Sequence, residues 1–147
     1  MQFSDFYVGM ELWTASFLVE EAEILAFAKR YDPQPFHIDS QQAEASRWKG
    51  VIASGWFTGG VAMRLMAQGP LHNSTSFGSP GLDYLKWLAP VHAGDTLRVQ
   101  ATVLEKKVSS SGKVGILHWR WQVHNQDDVV VLELAAPSLF ELMPAAR

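Results

Sequence analysis

The spacing of apolar residues changes from helical to strand-like along the chain. Within residues 20–31, apolar positions recur on one face of a helix. Beyond residue 95, apolar and polar positions alternate, which is typical of strands with one buried face. Helices followed by an antiparallel sheet predict an α+β fold in which the sheet holds a helix.

Three helices are predicted in the first half, after an apolar stretch over residues 7–19 that suits one or two strands. Glu20 to Tyr31 has acidic residues in its first turn and basic residues in its last, which complements the helix dipole. A short helix is expected from an N-cap at Asp39 through Trp48. Residues 52–68 carry so little charge that we expect a helix buried on nearly all sides.

The second half predicts an antiparallel sheet of four or more long strands, after a loop over residues 71–80. The expected strands cover residues 82–88, 96–103, 116–123 and 129–134. The last of these is almost continuously apolar, so we expect it to lie in the middle of the sheet.

Composition restricts the class of protein. The 147 residues fit a single domain, 1–147, and a net charge of −3 argues against nucleic acid as a partner. The chain has no cysteine, so disulfides and thiolate sites are excluded. No apolar run approaches the ~18 residues of a membrane span, and the first residues lack the pattern of a secretory signal. We therefore expect a cytoplasmic protein that does not associate with membranes.

The segment from Asp32 to Asp39 contains the strongest candidates for catalytic residues. Its two prolines, Pro33 and Pro35, stiffen a stretch that presents Asp32 and His37 together. A carboxylate beside an imidazole can exchange protons with water near neutral pH. The spacing alone also suits a simpler interpretation, in which Asp32 ends a helix and His37 packs.

Ser54 and Gly55 lie at the predicted start of the apolar helix. Free backbone N–H groups at such a position can stabilise a developing oxyanion, although Gly55 would also permit close packing. Ser54 lacks the flanking glycine and preceding strand of a nucleophile elbow. Neither a metal-ligand pattern nor a nucleotide motif is present, so we expect no metal and no cofactor.

Three stretches together resemble the MaoC-like dehydratases, which include the (R)-specific enoyl-CoA hydratases and have the hotdog fold. Asp32 to Asp39 (DPQPFHID) is similar to the hydratase signature Asp-x-Asn-Pro-x-His-x-Asp. Gly50 to Gly55 (GVIASG) resembles the entry into the central helix, and Leu88 to Asp95 (LAPVHAGD) resembles a turn between strands. The resemblance spans residues 7–140 in the expected order.

The resemblance implies a long helix wrapped by an antiparallel sheet, and a hydratase that adds water to a 2-enoyl thioester. By position, Asp32 and His37 would activate the water, and the N–H of Gly55 would bind the thioester oxygen. The residues expected to contact the substrate are Gln34, Pro35, Ser54 and Trp56. Gln34 departs from the family's Asn, and Ser54 from its frequent His.

The resemblance also implies a partner and leaves other functions open. The substrate would be an acyl-CoA or acyl-carrier thioester, and exposed apolar side chains would favour a homodimer or a dimer-based assembly. One alternative is a hotdog thioesterase, in which a carboxylate, usually on or near the central helix, drives hydrolysis. Residues 52–68 contain no Asp or Glu, which argues against this alternative. Another is a non-catalytic protein that binds acyl thioesters. Trp56, Phe57 and Met63 suit either an acyl tunnel or simple core packing.

Overall fold

The computed structural model describes residues 1–142. Residues 143–147, the end of the predicted single domain, lie outside the described residues. A short 3-10 helix at Phe3–Asp5 precedes the other elements. In chain order these are β1 (Glu11–Trp13), β2 (Phe17–Leu18), α1 (Glu21–Tyr31), α2 (Pro35–Ile38), α3 (Ser40–Ala45), α4 (Gly55–Gln68), β3 (Ser76–Gly78), β4 (Tyr84–Trp87), β5 (Thr96–Val108), β6 (Val114–His124) and β7 (Val130–Glu141).

All the strand pairs of the described chain are antiparallel and form one sheet. Its order is β1-β5-β6-β7-β3, and β2 and β4 extend it by pairing with β5 and β7. Every second residue is buried along β6 and along the first eight residues of β5 (96–103), as the alternation predicted. The nearly continuous apolar strand β7 lies inside the sheet, because it pairs with β6 on one side and with β3 and β4 on the other.

The long helix α4 packs against the inner face of this sheet. One face of the helix buries Phe57, Val61, Ala62, Leu65 and Met66, in the same core as the inward-facing residues of β5 and β6. The predicted α+β architecture, a sheet wrapped around a long helix, is therefore confirmed.

Helix α4 corrects one expectation. It is not buried on nearly all sides, since Trp56 is 61% exposed and Met63 45% exposed. The sheet covers only one face, and the open face carries small residues, including Gly60, in place of the charges that normally mark a solvent-facing side. The helix also begins at Gly55 and not at Ile52.

Other boundaries differ from the predicted ones for local reasons. The short helix α3 ends at Ala45 and not at Trp48, because Ser46 adopts an extended conformation and its side chain accepts from the Trp48 N–H. The segment between the first two predicted helices, for which no element was predicted, contains the helical turn α2. The expected loop over residues 71–80 contains β3. Within residues 1–142 only three strands are long, since the predicted strand over 82–88 shortens to β4.

None of the helices within residues 1–142 combines the length and the apolar character that a membrane span requires.

Candidate active site

The loop after α1 brings Asp32 and His37 together. Asp32 caps the C-terminus of α1, and Pro35 occupies the first turn of α2, where its missing N–H costs nothing. The short helix turns His37 inward, so that its ring is buried. Nε2 of His37 lies 3.3 Å from Oδ2 of Asp32. This loop therefore brings a carboxylate and an imidazole within reach of each other, as the spacing suggested.

A backbone carbonyl fixes the orientation of the imidazole. Nδ1 of His37 lies 2.6 Å from the carbonyl oxygen of Ile52. A carbonyl oxygen can only accept, so Nδ1 carries a proton and donates it. Nε2 is then the ring atom left to exchange protons, and it is the atom that faces Asp32.

Two side chains hold the Asp32 carboxylate. The amide of Gln34 donates to Oδ1 at 2.7 Å, and the hydroxyl of Ser54 donates to Oδ2 at 2.7 Å. Burial acts to raise the pKa of Asp32, but these two hydrogen bonds and the nearby His37 outweigh it. The pKa of Asp32 therefore lies below its ordinary value, and the group is a carboxylate at neutral pH.

The N-terminus of α4 lies beside this pair. Ser54 is the N-cap, and its Oγ accepts a hydrogen bond from the N–H of Trp56. Gly55 is the first helical residue, so its N–H has no partner inside the helix, and none of the described backbone or side-chain acceptors binds it. The Trp87 indole packs directly over Gly55, where it leaves no room for a Cβ.

A cavity of about 410 Å³ joins these groups. Asp32, His37 and Gly55 all line it, and the sides are largely apolar. The other lining residues are Gln34, Trp48, Ile52, Ala53, Trp56, Thr58, Trp87, Leu88, Ala89, Pro90, Val91 and Val131. The cavity thus brings the imidazole of His37, the carboxylate of Asp32 and the first residue of α4, Gly55, to one space.

The other residues singled out in the sequence occupy different places. Gln34 and Trp56 line the cavity. Ser54 is fully buried behind Asp32, while Pro35 is exposed and does not line the cavity. Sequence reasoning missed Trp87, which no motif marks, because its contact with Gly55 depends on how β4 lies against α4. Among residues 1–142, no three His, Asp or Glu side chains cluster closely enough to hold a metal ion.

A family model and solved structures of related proteins both match this chain. A family model for the MaoC-like domain matches residues 7–120. A MaoC-like dehydratase from Rhodospirillum rubrum has a similar structure, with a TM-score of 0.89, 35% identity, and coverage of 96% of this chain and 97% of that one. The unliganded R-hydratase PhaJ1 from Pseudomonas aeruginosa shares the fold, with a TM-score of 0.73 at 22% identity, over 99% and 92% of the two chains. The uncharacterized protein YdeM of Bacillus subtilis is 29% identical over 90% of this chain and 94% of its own length.

Proposed function

The chain belongs to the MaoC-like domain family, and we propose that it is a hydratase or dehydratase that adds water reversibly across the double bond of a 2-enoyl thioester. The acyl group would be carried by coenzyme A or by an acyl-carrier protein. The observation that carries this proposal is the 3.3 Å pair of Asp32 and His37, which lines the same cavity as Gly55 at the N-terminus of α4.

The pair is arranged to activate a water molecule. A water oxygen about 2.8 Å from both Oδ2 of Asp32 and Nε2 of His37 would donate one hydrogen to each. Nε2 is the proton acceptor in this proposal, because Nδ1 is already protonated against Ile52. Asp32, held as a carboxylate, orients the water and stabilises the imidazolium that forms. The water oxygen bonds to C3, and the electron pair of the C2–C3 double bond moves toward the thioester.

The negative charge then develops on the thioester oxygen. The unpartnered N–H of Gly55, at the positive end of α4, is the donor that we assign to that oxygen. The proton taken up by His37 is then delivered to C2, which restores the thioester and the neutral imidazole. One water is consumed, and the pair returns to its starting state. Dehydration is the same sequence in reverse.

The predicted substrate contacts take different places in this scheme. Trp56 would contact the substrate from the wall of the cavity, as would Gln34. Gln34 and Ser54 each donate to Asp32, so we assign both a positioning role. For Gln34, which lines the cavity, this role adds to the predicted contact with the substrate, whereas Ser54 is fully buried and does not line the cavity. Pro35 supports the same site by starting the turn that carries His37.

We also propose that the active protein is a homodimer. Trp87 and Leu88 line the cavity and are about half exposed in the isolated chain. Large apolar side chains at the mouth of a cavity favour cover by another surface, and a second copy of this chain would supply it. Light scattering at micromolar concentration would show a dimer, and a monomer would contradict this proposal.

A single assay tests the reaction against the alternatives. The protein is mixed with but-2-enoyl-CoA, and the conjugated thioester absorbance is followed together with free thiol. We expect absorbance to fall without thiol release. Equal rates of absorbance loss and thiol release would instead show a thioesterase. Binding without either change, across short, medium and branched chains, would show a non-catalytic acyl-thioester protein.

A further inference from the structure

A second cavity lies on the other side of Trp56. It has a volume of about 330 Å³ and is bounded by the exposed face of α4, β3, the segment that leads into β4, and the inner face of β6 and β7. Among the described residues, Trp56 alone lines both this cavity and the one that holds Asp32 and His37. The indole of Trp56 therefore forms the partition between them.

The second cavity has the chemistry of a hydrocarbon site. No charged side chain is among the described residues that line it, and its walls include Met63, Leu85, Trp121 and Leu134. Such a surface favours an alkyl chain, because each methylene that leaves water contributes to binding. The polar side chains among its described lining residues are those of Ser76, Ser79 and Ser138. Three hydroxyls are too few to replace the hydration of a polar cofactor or of a charged peptide side chain.

Helix α4 has no side chains at two adjacent positions that border this cavity. Gly59 and Gly60 both line the cavity, and a Cβ added to either would meet no atom within 4 Å. Glycine inside a helix lowers its stability relative to alanine. Two adjacent glycines that face open space, and not a packed neighbour, leave room along the helix for a bound molecule.

Trp56 itself is placed as a wall and not as part of the core. Its side chain is 61% exposed, and its ring meets that of Trp87 edge-on, with centroids 5.1 Å apart. Trp87 in turn packs over Gly55, the donor assigned to the thioester oxygen. The two indoles thus border the first cavity beside Gly55.

We propose that Trp56 sets the acyl-chain length of the substrate by closing the second cavity off from the acid–base pair. This inference rests on the proposed function. With the indole in place, short acyl groups fit the first cavity and longer ones meet the partition. Removal of the indole joins the two cavities and admits a longer chain.

The test compares the wild type with Trp56→Ala and Trp56→Leu on 2-enoyl-CoA thioesters of four and eight carbons. A buried methylene is worth about fourfold in binding, and four added methylenes face the new space. We expect the ratio of kcat/KM for the longer to the shorter substrate to rise at least ~10-fold in both variants. Met63→Trp added to Trp56→Ala should refill the cavity and lower the ratio again.

Controls separate this inference from the reaction itself. Trp13→Ala removes an exposed indole from the outer face of the sheet and should leave the ratio at the wild-type value. Saturated butanoyl-CoA and octanoyl-CoA, which cannot react, report binding alone by calorimetry. A preference for octanoyl-CoA that appears only in the Trp56 variants supports the partition even if no turnover is found. Turnover by the wild type with unchanged ratios in both assays overturns it, as does a change confined to the oligomeric state.

Discussion

The hydroxyl of Ser54 donates a 2.7 Å hydrogen bond to Oδ2 of Asp32, the same oxygen that faces Nε2 of His37. Ser54 also caps α4 through its contact with the N–H of Trp56. One buried hydroxyl therefore connects the acid–base pair to the helix N-terminus that presents Gly55. Ser54 therefore couples the position of Asp32 to that of Gly55, the oxyanion donor that we propose.

Replacement of Ser54 by Ala should affect both activity and pH dependence. The carboxylate loses one of the two hydrogen bonds that hold its pKa down, so the acidic limb of the pH–rate profile should move to higher pH. A hydrogen bond to a charged group is worth about 1.5–3 kcal/mol, so we expect a fall in kcat/KM of about tenfold or more. Ser111→Ala, in the exposed turn between β5 and β6, is the matched control. An unshifted acidic limb would contradict the role given to Ser54.

Gly55→Ala should destabilise the protein, although alanine is normally the better helix former by about 1 kcal/mol. The new Cβ would overlap the Trp87 indole, which would have to move. Thermal unfolding should show a lower Tm for Gly55→Ala and a higher Tm for Gly60→Ala, where the added Cβ meets nothing within 4 Å.

A double variant isolates the contact with Trp87. In a Trp87→Ala background, Gly55→Ala should no longer be destabilising, because the overlapping ring is gone. The same loss of stability in both backgrounds would show that the clash lies elsewhere.

The central elements could be predicted because they depend on local pattern. Burial alternates along β6 and along residues 96–103 of β5 as their sequence does, and the dipole-matched charges of α1 mark both of its ends. Asp39 was identified as an N-cap, and its carboxylate does accept from the backbone N–H groups of Gln41 and Gln42. These features involve only residues close together in the chain.

The rest depended on contacts between distant segments. The open face of α4 could not be foreseen, because its apolar residues suit either a surrounding core or a cavity wall. Ser54 was expected to contact the substrate, whereas its hydroxyl reaches back 22 positions to Asp32. The orientation of His37 depends on the carbonyl of Ile52, a backbone atom that no sequence motif shows. Tertiary structure decides each of these.

Hydrogen bonds to Glu133 on the outer face of the sheet should make the free energy of unfolding depend on pH in the acidic range. Tyr84 donates to Oε2 of Glu133 at 2.8 Å, and Gln122 donates to Oε1. These hydrogen bonds hold the pKa of Glu133 below its ordinary value of 4.5. The stabilisation is therefore present above that value and is lost as pH falls through the lower pKa of the folded state.

Tyr84→Phe tests this dependence. We expect its free energy of unfolding at pH 7 to fall by about 1–2 kcal/mol. The difference from the wild type should shrink as the solution is acidified below the ordinary pKa of Glu133, because the protonated carboxyl no longer gains from the donor. Urea unfolding at several pH values measures this, and Tyr7→Phe, on an exposed tyrosine, is the control. A constant difference across the acidic range would contradict the assignment.

The most direct test of the central claim follows the oxygen of water. The protein is incubated with but-2-enoyl-CoA in water enriched in the heavy isotope ¹⁸O. Mass spectrometry then identifies which product carries the label. Asp32→Asn and His37→Gln are run in parallel with His72→Gln, a histidine in an exposed loop. We predict label in a hydroxyl group of an acyl chain still joined to coenzyme A. General acid–base groups contribute about 10²–10⁴ in rate, so the two site variants should lose at least ~10² while the control does not. Label found instead in a free carboxylate, or incorporation that persists in both site variants, would contradict the account.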